Sequence, residues 1–508
     1  MTGSAGESPT RKRRAPARPK KPADGAAQPR KPRKTRATTA ATPPGPPEAE
    51  AVEAGAIDAE PVEAAIPDAP ESLVAEPPGE GAIPGDTWSS AEPVETVEPV
   101  ETVEPMEPQN VLPIDRDADA ADERFLPPET MQARLATPAE LADWDEHTVA
   151  SPNGHVYQSL AWGEYRAAHG RPVWHIVFED GFRMLVVGRD RPLVGGGWAY
   201  ATRGPIPDEH AVLTATRAAA AAELLANEGL DSFTVDGETP ATSGLGRFLQ
   251  ARGFKPVEEV QTSRHRMDVS LGPVDAHNSD EKTIFGSFGA TTRNNIRQAE
   301  RHGLRVKRLD AGGGRAEYEH DSPGILEGVE QVGLENAEDT ERMLRGFYVM
   351  LDATAERRGF ALASGDAFLD WSKRALAAGH MFYLQADHDV DGPVAGAVFY
   401  RHGHRLTYSL AGDRAELRKA HPGAVRLLVW RGIQIALDER RLSVDLGGID
   451  TEGARRRPNK GDPTYGMYQF KGSFGARWVD LTGAHQRTMR PMRNLAGRLV
   501  GRLTSIRR

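Results

Sequence analysis

The sequence predicts an α/β (α+β) protein in which one unit occurs twice behind a long disordered tail. The unit is an antiparallel meander followed by a helix and a further strand. Three observations carry this reading. Charge and proline are unevenly distributed, with the first 130 residues set apart from the rest. Two stretches within 131–508 then repeat the same order of strand and helix signals. Corresponding marks also agree in spacing: Tyr200 precedes Asp236 by 36 residues and Tyr408 precedes Asp445 by 37.

Residues 1–36 hold 12 Lys and Arg against 2 acids, and residues 37–130 hold 2 against 23. Residues 131–508 hold 49 against 48, so the net charge of −10 belongs to the tail. Trp88 is the only aromatic before residue 124, and "VETVEPVETVEP" (Val94–Pro105) carries charge and proline without an apolar period. Such a chain cannot bury enough surface to offset its ordering entropy, which predicts disorder over 1–130. The basic start has the composition of a nucleic-acid or anionic-membrane contact, or of a solvated tail.

The first copy opens with "PVWHIVFEDGFRMLVVGRD", two apolar β-branched runs around the turn Glu179-Asp180-Gly181. "GGWAYATRGP" supplies a third strand. An alanine-rich helix is expected from about Glu209 to Asn227, stopped by Gly229, and "DSFTVDGE" is the next strand. In the second copy, three strands within His380–Gly412 are separated by turns at Asp391-Gly392 and His402-Gly403. The following helix places Val425, Leu428, Val429, Ile433 and Ala436 on one face, and "LSVDLGG" is again a strand. After it comes "YQFKGSFGARW" (Tyr468–Trp478), where a closing strand would show plain alternation. Two domains follow, 131–273 and 274–486, with a basic segment over 487–508.

Several chemistries are excluded. The chain has no cysteine, which removes disulfides, thiolate nucleophiles and Cys-based zinc sites. No run of about 18 apolar residues could span a bilayer. The basic N-terminus lacks the apolar segment of a secretory signal, so a cytoplasmic protein is expected. "DAGGGRAE" (310–317) lacks the Lys-Ser/Thr of a phosphate loop, and the glycines at 195–197 open a strand rather than a helix. His402 and His404 have no third ligand nearby, so no metal is expected. Gly-x-Ser-x-Gly is absent.

The order of elements is similar to that of the GNAT acyltransferase superfamily. Its members that use acetyl-CoA cradle pyrophosphate on a glycine-containing loop opening a helix. The corresponding stretches here, "RGPIPDEHAV" and "RKAHPGAV", do not fit that loop, so the donor expected is not CoA and no cofactor is implied.

Six marks in order, "YQSLAWGEYRAAHG", "AYATRGP", "TTRNNIRQAERHGLRV", "RRGFAL", "VDLGGID" and "FKGSFG", span about 155–482. Together they resemble the FemABX aminoacyltransferases. The resemblance implies two tandem GNAT-like domains using aminoacyl-tRNA to extend the stem peptide of a peptidoglycan precursor, lipid II or its UDP-linked form. In that family the lysine of a Phe-Lys pair is implicated in stabilising the transferring aminoacyl group, and Phe470 and Lys471 match the pair. Attack of an amine on an ester builds negative charge on the carbonyl oxygen, which a fixed cation in a dry site stabilises.

The resemblance also implies that Arg166 contacts acceptor phosphates, for which its bidentate fork suits. An exposed helix arginine is the plainer reading. Arg293 and Arg297, four apart, share a helix face. One of them matches an acceptor-binding arginine, while a tRNA contact or a solvated basic face accounts for the pair equally. Tyr200 and Arg203 would line the acceptor groove or serve strand packing and a turn. Gly204 stands where some members carry an acid. Asp445 and Asp450 would handle protons or close the turn after their strand.

The C-terminal "RTMRPMRNLAGRLVGRLTSIRR" holds seven arginines and no acid, with Met492, Leu495, Leu499, Leu503 and Ile506 forming a stripe. It reads as a basic amphipathic helix suited to peripheral contact with the inner membrane surface, or as a helix packed on its own domain. The functions carried forward are glycine transfer from tRNA, a GNAT-like N-acyl transfer with another donor or acceptor, and a non-catalytic envelope scaffold.

Overall fold

A computed structural model of the chain describes residues 130–190, 196–258, 264–272, 281–311, 328–358, 362–449 and 456–495. The expected tail, Asp450, most of the 310–317 glycine cluster, the middle of "RRGFAL" and Leu499, Leu503 and Ile506 lie outside the described residues.

The first meander is β1 (Ala133–Leu135), β2 (Val173–Phe178), β3 (Arg183–Asp190) and β4 (Gly197–Ala201), antiparallel neighbours in that order. The turn between β2 and β3 is the expected one, with Gly181 at φ 85°. Helix α1 (Leu160–Ala168) precedes β2, and its N-cap Ser159 accepts from the Trp162 amide. Helix α2 (Ala211–Asn227) crosses over to β5 (Ser232–Val235), which pairs parallel with β4. It starts two residues later than expected, because the Asp208 side chain accepts from the His210 amide and holds that residue in an extended turn. Alanines along α2 let it lie flat on Ile176, Met184, Ala199 and Phe233. Helix α3 (Leu245–Ala251) and the short β6 (Lys255–Pro256) follow.

The chain continues through β7 (His265–Ser270), α4 (Glu281–Ser287), α5 (Ala290–Arg301), β8 (Arg305–Asp310), β9 (Val329–Val332), α6 (Ala337–Arg358) and α7 (Gly365–Ala377). The second meander is β10 (Met381–His388), β11 (Gly392–His402) and β12 (Arg405–Asp413). Helix α8 (Ala424–Asp438) crosses to β13 (Ser443–Asp445), parallel to β12. Of the expected face, Leu428, Val429, Ile433 and Ala436 are buried, but so are Leu427, Trp430 and Ile435. A helix buried on more than one side needs close approach somewhere, and Gly432 provides it, since a methyl there would overlap the Phe399 ring. The segment carrying Lys471 is helical, α9 (Tyr465–Gly472), not a strand. β14 (Arg477–Asp480) and β15 (His485–Thr488) complete the described chain.

The two sheets have orders β1-β2-β3-β4-β5-β15-β6 and β14-β7-β13-β12-β11-β10-β8-β9. Thus β7 lies in the second sheet between β13 and β14, and β15 lies in the first between β5 and β6. Each half lends its last strand to the other. The sheets therefore cross the expected boundary at 273/274, and β15 straddles the one at 486/487. The described residues all belong to one compact unit. Neither β7 nor β15 is among the strands expected from the sequence, and local pattern carries no information about which sheet accepts a strand.

Candidate active site

Charged residues from both sheets converge near the ends of the two parallel strand pairs, β4–β5 and β12–β13. On the first side, Tyr200 on β4 is fully buried and its hydroxyl donates to Asp236 Oδ2 at 2.5 Å. The backbone N–H of Arg203 donates to Asp236 Oδ1, also at 2.5 Å. Arg203 adopts φ 56°, a left-handed turn that brings its guanidinium back to 3.6 Å from both Asp236 and Glu238. Burial raises the Asp236 pKa to about 6 against the pull of Arg203 and Tyr200. Tyr200 is pushed well above its ordinary value, so the shared proton stays on the phenol.

Glu238 joins the two sheets. It is ion-paired with Arg405 of β12, lies 3.6 Å from Arg266 of β7, and is 3.9 Å from His155 Nε2. Burial alone would raise its pKa, but Arg405, His155, Arg203 and Arg266 hold it well below the usual carboxylate range. Burial lowers His155 to about 3, which leaves it neutral at physiological pH.

On the second side, Arg266 donates through Nε to Asp268 Oδ2 at 2.7 Å. Register places Asp268 directly across from Asp445, and Thr407 across from Asp445 on its other side. Two carboxylates facing each other on neighbouring strands repel. Burial, Asp268 and Glu238 accordingly raise Asp445 to about 6, while Arg266 and Arg405 oppose the shift. Asp268 Oδ1 is buried and has no hydrogen-bond partner. Asp445 Oδ1 accepts from the Gly447 amide at 2.7 Å, closing the turn as expected.

Lys471, in the last turn of α9, points into this corner with 5% of its surface exposed. Its ammonium donates to the Gly447 and Gly448 carbonyls at 2.9 and 2.5 Å, using two of its three N–H groups. Burial lowers its pKa to about 8, and Asp445 opposes that shift. Nearby, His265 stacks on Trp478 at 3.5 Å and accepts from the Ile449 amide at 3.0 Å. Its pKa falls to about 4 through burial and the Lys471 charge. Phe470 is half-buried, edge-on to Phe474 at 5.4 Å, with the Arg426 guanidinium 5.2 Å above its ring.

The structure thus brings Tyr200 and Arg203 into one polar network with Asp445 and Lys471, and sets Phe470 on the same helix as Lys471. Arg166 is placed otherwise. It is 6% exposed rather than a solvated helix residue, lying 5.4 Å over Trp162 and 6.0 Å over Tyr165. Arg293 donates to the Gly286 and Phe288 carbonyls, capping the end of α4. Arg297 is exposed, 5.2 Å over the Phe285 ring. Helix α5 nonetheless abuts α9, because Thr292 Oγ1 donates to Ser473 Oγ at 2.7 Å.

Asp236, Glu238, Arg266, Asp268, Arg405 and Arg426 were not singled out from sequence as site residues. One signal was available: in "HRMDV" the charged Arg266 and Asp268 alternate with buried Met267 and Val269, so one face of a central strand is ionic. A shallow concavity on α6, lined by Glu338, Glu341, Arg342 and Arg345, holds only exposed ion pairs.

A meander, a crossover helix and a parallel strand, occurring twice with exchanged final strands, define a tandem GNAT-like protein. Residues 325–459 match the Acetyltransferase (GNAT) domain family. Among solved structures the chain is similar to FemX, with TM-score 0.56 and 16% identity over 72% of this chain and 100% of that one. At TM-score 0.39 it overlaps the C-terminal domain of a putative lysylphosphatidylglycerol synthetase from Agrobacterium fabrum (14% identity, 68% of this chain, 91% of that chain). L-PGS from Bacillus licheniformis overlaps at the same TM-score (11% identity, 72% and 97%). No curated protein matches the chain by sequence. The fold is FemABX-like.

Proposed function

We propose that the chain is an aminoacyltransferase that moves an amino acid, glycine foremost, from aminoacyl-tRNA to an amine on the stem peptide of lipid II or its UDP-linked precursor. The observation that carries this reading is Lys471, a buried ammonium fixed on two carbonyls beside the Asp445 carboxylate, with the orphaned Asp268 Oδ1 on the facing strand. An acceptor amine needs hydrogen-bond acceptors to orient it, and Asp268 and Asp445 are suited to that. Attack forms the amide C–N bond and places negative charge on the former carbonyl oxygen, which the third N–H of Lys471 would stabilise. Asp445 would take the amine proton and return it to the departing ribose oxygen as the ester C–O bond breaks. Phe470 would shape the channel.

Phosphates would be held by basic groups near this corner. Arg426 is half-buried over Phe470, and its Nε has no hydrogen-bond partner. It joins Arg293 and Arg297 as a candidate for them, whereas Arg166 would have to act from within its aromatic cluster. Contact with a membrane-held acceptor is supported by Met492 and Leu495, 82% and 57% exposed. They follow Arg490, which is anchored to the Ala226 carbonyl. No helix among the described residues is long and apolar enough to cross a membrane.

The test is transfer of labelled glycine from Gly-tRNA to lipid II by wild type and Lys471→Met. Label only with wild type supports donor, acceptor and lysine together. Transfer of an acyl group from another donor would instead favour the N-acyltransferase reading, for which the match over 325–459 speaks. No transfer from any charged tRNA or acyl donor would leave the scaffold.

A further inference from the structure

We infer that His388, Asp391 and His421 form a site for a divalent transition-metal cation of the zinc class, away from the Lys471 corner. His388 ends β10, Asp391 lies in the turn to β11, and His421 lies in the loop before α8. His388 Nδ1 is 3.2 Å and His421 Nε2 2.6 Å from the same oxygen, Asp391 Oδ2. One ligand atom from each of the three residues lies within 4.8 Å of the others. The two imidazoles are 4.3 Å apart at 47°, so they converge on the carboxylate rather than stack.

Donor chemistry favours a cation. Two imidazoles and a carboxylate suit zinc, cobalt, nickel or copper better than magnesium or calcium. The Val390 and Asp391 amides both donate to His388 Nδ1 at 3.4 Å, long contacts in which that nitrogen is an acceptor. A cation between Nδ1 and Asp391 Oδ2, 3.2 Å apart, would take their place. Tetrahedral zinc spaces its ligand atoms about 3.3 Å apart, given bonds of about 2.0–2.1 Å. The His388–Asp391 distance already matches, the 2.6 Å His421–Asp391 distance must lengthen by about 0.7 Å, and the two histidine nitrogens, within 4.8 Å, must close by at most about 1.5 Å.

Position is set from outside the triad. Arg414 donates to the Asp391 carbonyl at 3.0 Å, and the His421 amide donates to Leu417 at 2.8 Å. His421 is 5% exposed, whereas His388 and Asp391 are 23% and 34% exposed, leaving the fourth position open to water. His421 Nδ1 is buried without a partner, so metal at Nε2 strands the Nδ1 proton. That cost weakens binding relative to a site whose second nitrogen is paired. A bound ion would clasp the β10–β11 turn to the loop that leads into α8, whose first turn carries Arg426.

The test is titration of the untagged, chelator-treated full chain with Co2+, read by visible absorption, and with Zn2+ by calorimetry. Wild type is expected to bind one equivalent with the absorption of four-coordinate cobalt. His388→Asn and Asp391→Asn, at half-buried positions, should leave the metal-free melting curve unchanged and weaken binding at least tenfold. No saturable binding by wild type, or equal binding by both variants, overturns the site.

Discussion

The Lys471 ammonium is held by the carbonyls of Gly447 and Gly448, the second and third residues after Asp445, the carboxylate whose charge it feels most. The acid and the base are therefore tied to one turn. The Gly447 amide that satisfies Asp445 and the Gly447 carbonyl that satisfies Lys471 belong to the same residue, which adopts φ 76°. A side chain at position 447 would be strained in that conformation and close to the lysine nitrogen.

Lys471→Met is expected to reduce kcat by about 10²–10³, the magnitude associated with losing one donor to a developing oxyanion. Its effect on stability should be small. The pKa drop from 10.5 to about 8 corresponds to a burial cost of about 3 kcal/mol, which the substitution removes while orphaning two carbonyls. A residue that only pinned the turn would give the opposite pattern: lower melting temperature with kcat retained in the folded fraction.

Activity should be bell-shaped in pH, with limbs near 6 and 8. Asp445 must be ionised to accept a proton, and its pKa is about 6. Lys471 must be protonated to stabilise the oxyanion, and its pKa is about 8. Asp445→Asn should abolish the acidic limb and move the basic limb lower, because the carboxylate that supports the ammonium is gone. Stability follows a different course. Between about 8 and 10.5 the unfolded lysine keeps its proton and the folded one does not, so stability rises with pH there. Between 3.8 and about 6 the folded Asp445 keeps a proton the unfolded one has lost, so stability falls as pH rises. The pH profile of kcat and urea midpoints across pH 4–10 separate the two effects.

Glu238→Ala should cost about 3–5 kcal/mol, since removing one member of a buried ionic cluster leaves the others uncompensated. Arg203, Arg266 and Arg405 all face that carboxylate. Arg342→Ala, breaking an exposed pair with Asp339 on α6, should not shift the urea midpoint measurably. Equal effects of the two would mean that Glu238 does not hold the sheets together.

Local pattern carried the two repeated units and little of what joins them. The Glu179-Asp180-Gly181 turn, the meanders, both crossover helices and the strands ending near Asp236 and Asp445 follow from apolar period and turn residues. Lys471 was singled out through the resemblance that its pair with Phe470 carries, and the broken alternation around it marks a helix. Asp268 and Glu238 were not legible, because their meaning depends on which strand lies opposite. Register across sheets is a long-range property, and a single acid in a strand pattern looks the same whether it faces water or Asp445. Arg166 shows the converse: the plain reading of an exposed helix arginine does not hold, because the side chain lies buried over Trp162 and Tyr165, whose rings offer an arginine as good a partner as solvent.

The exchanged strands lead to a prediction about where the chain can be cut. β15 fills the gap between β5 and β6, with Gln486 donating to Thr234 Oγ1 at 3.0 Å and the Met489 amide to the Asp231 carbonyl at 2.7 Å. A chain ending at Gly483 would leave β5 with an unpaired edge over the alanine-rich core of α2, although all of its own half is present. It should be poorly soluble, with a lowered melting temperature. A chain ending at Leu495 keeps the strand and the Arg493–Asp231 ion pair at 2.5 Å, and should melt like the full chain. Circular dichroism melts of the two truncations decide it. Equal stability would show that β15 is an ornament on the first sheet. Loss confined to the shorter chain would show that the last strand of the second half belongs, energetically, to the first.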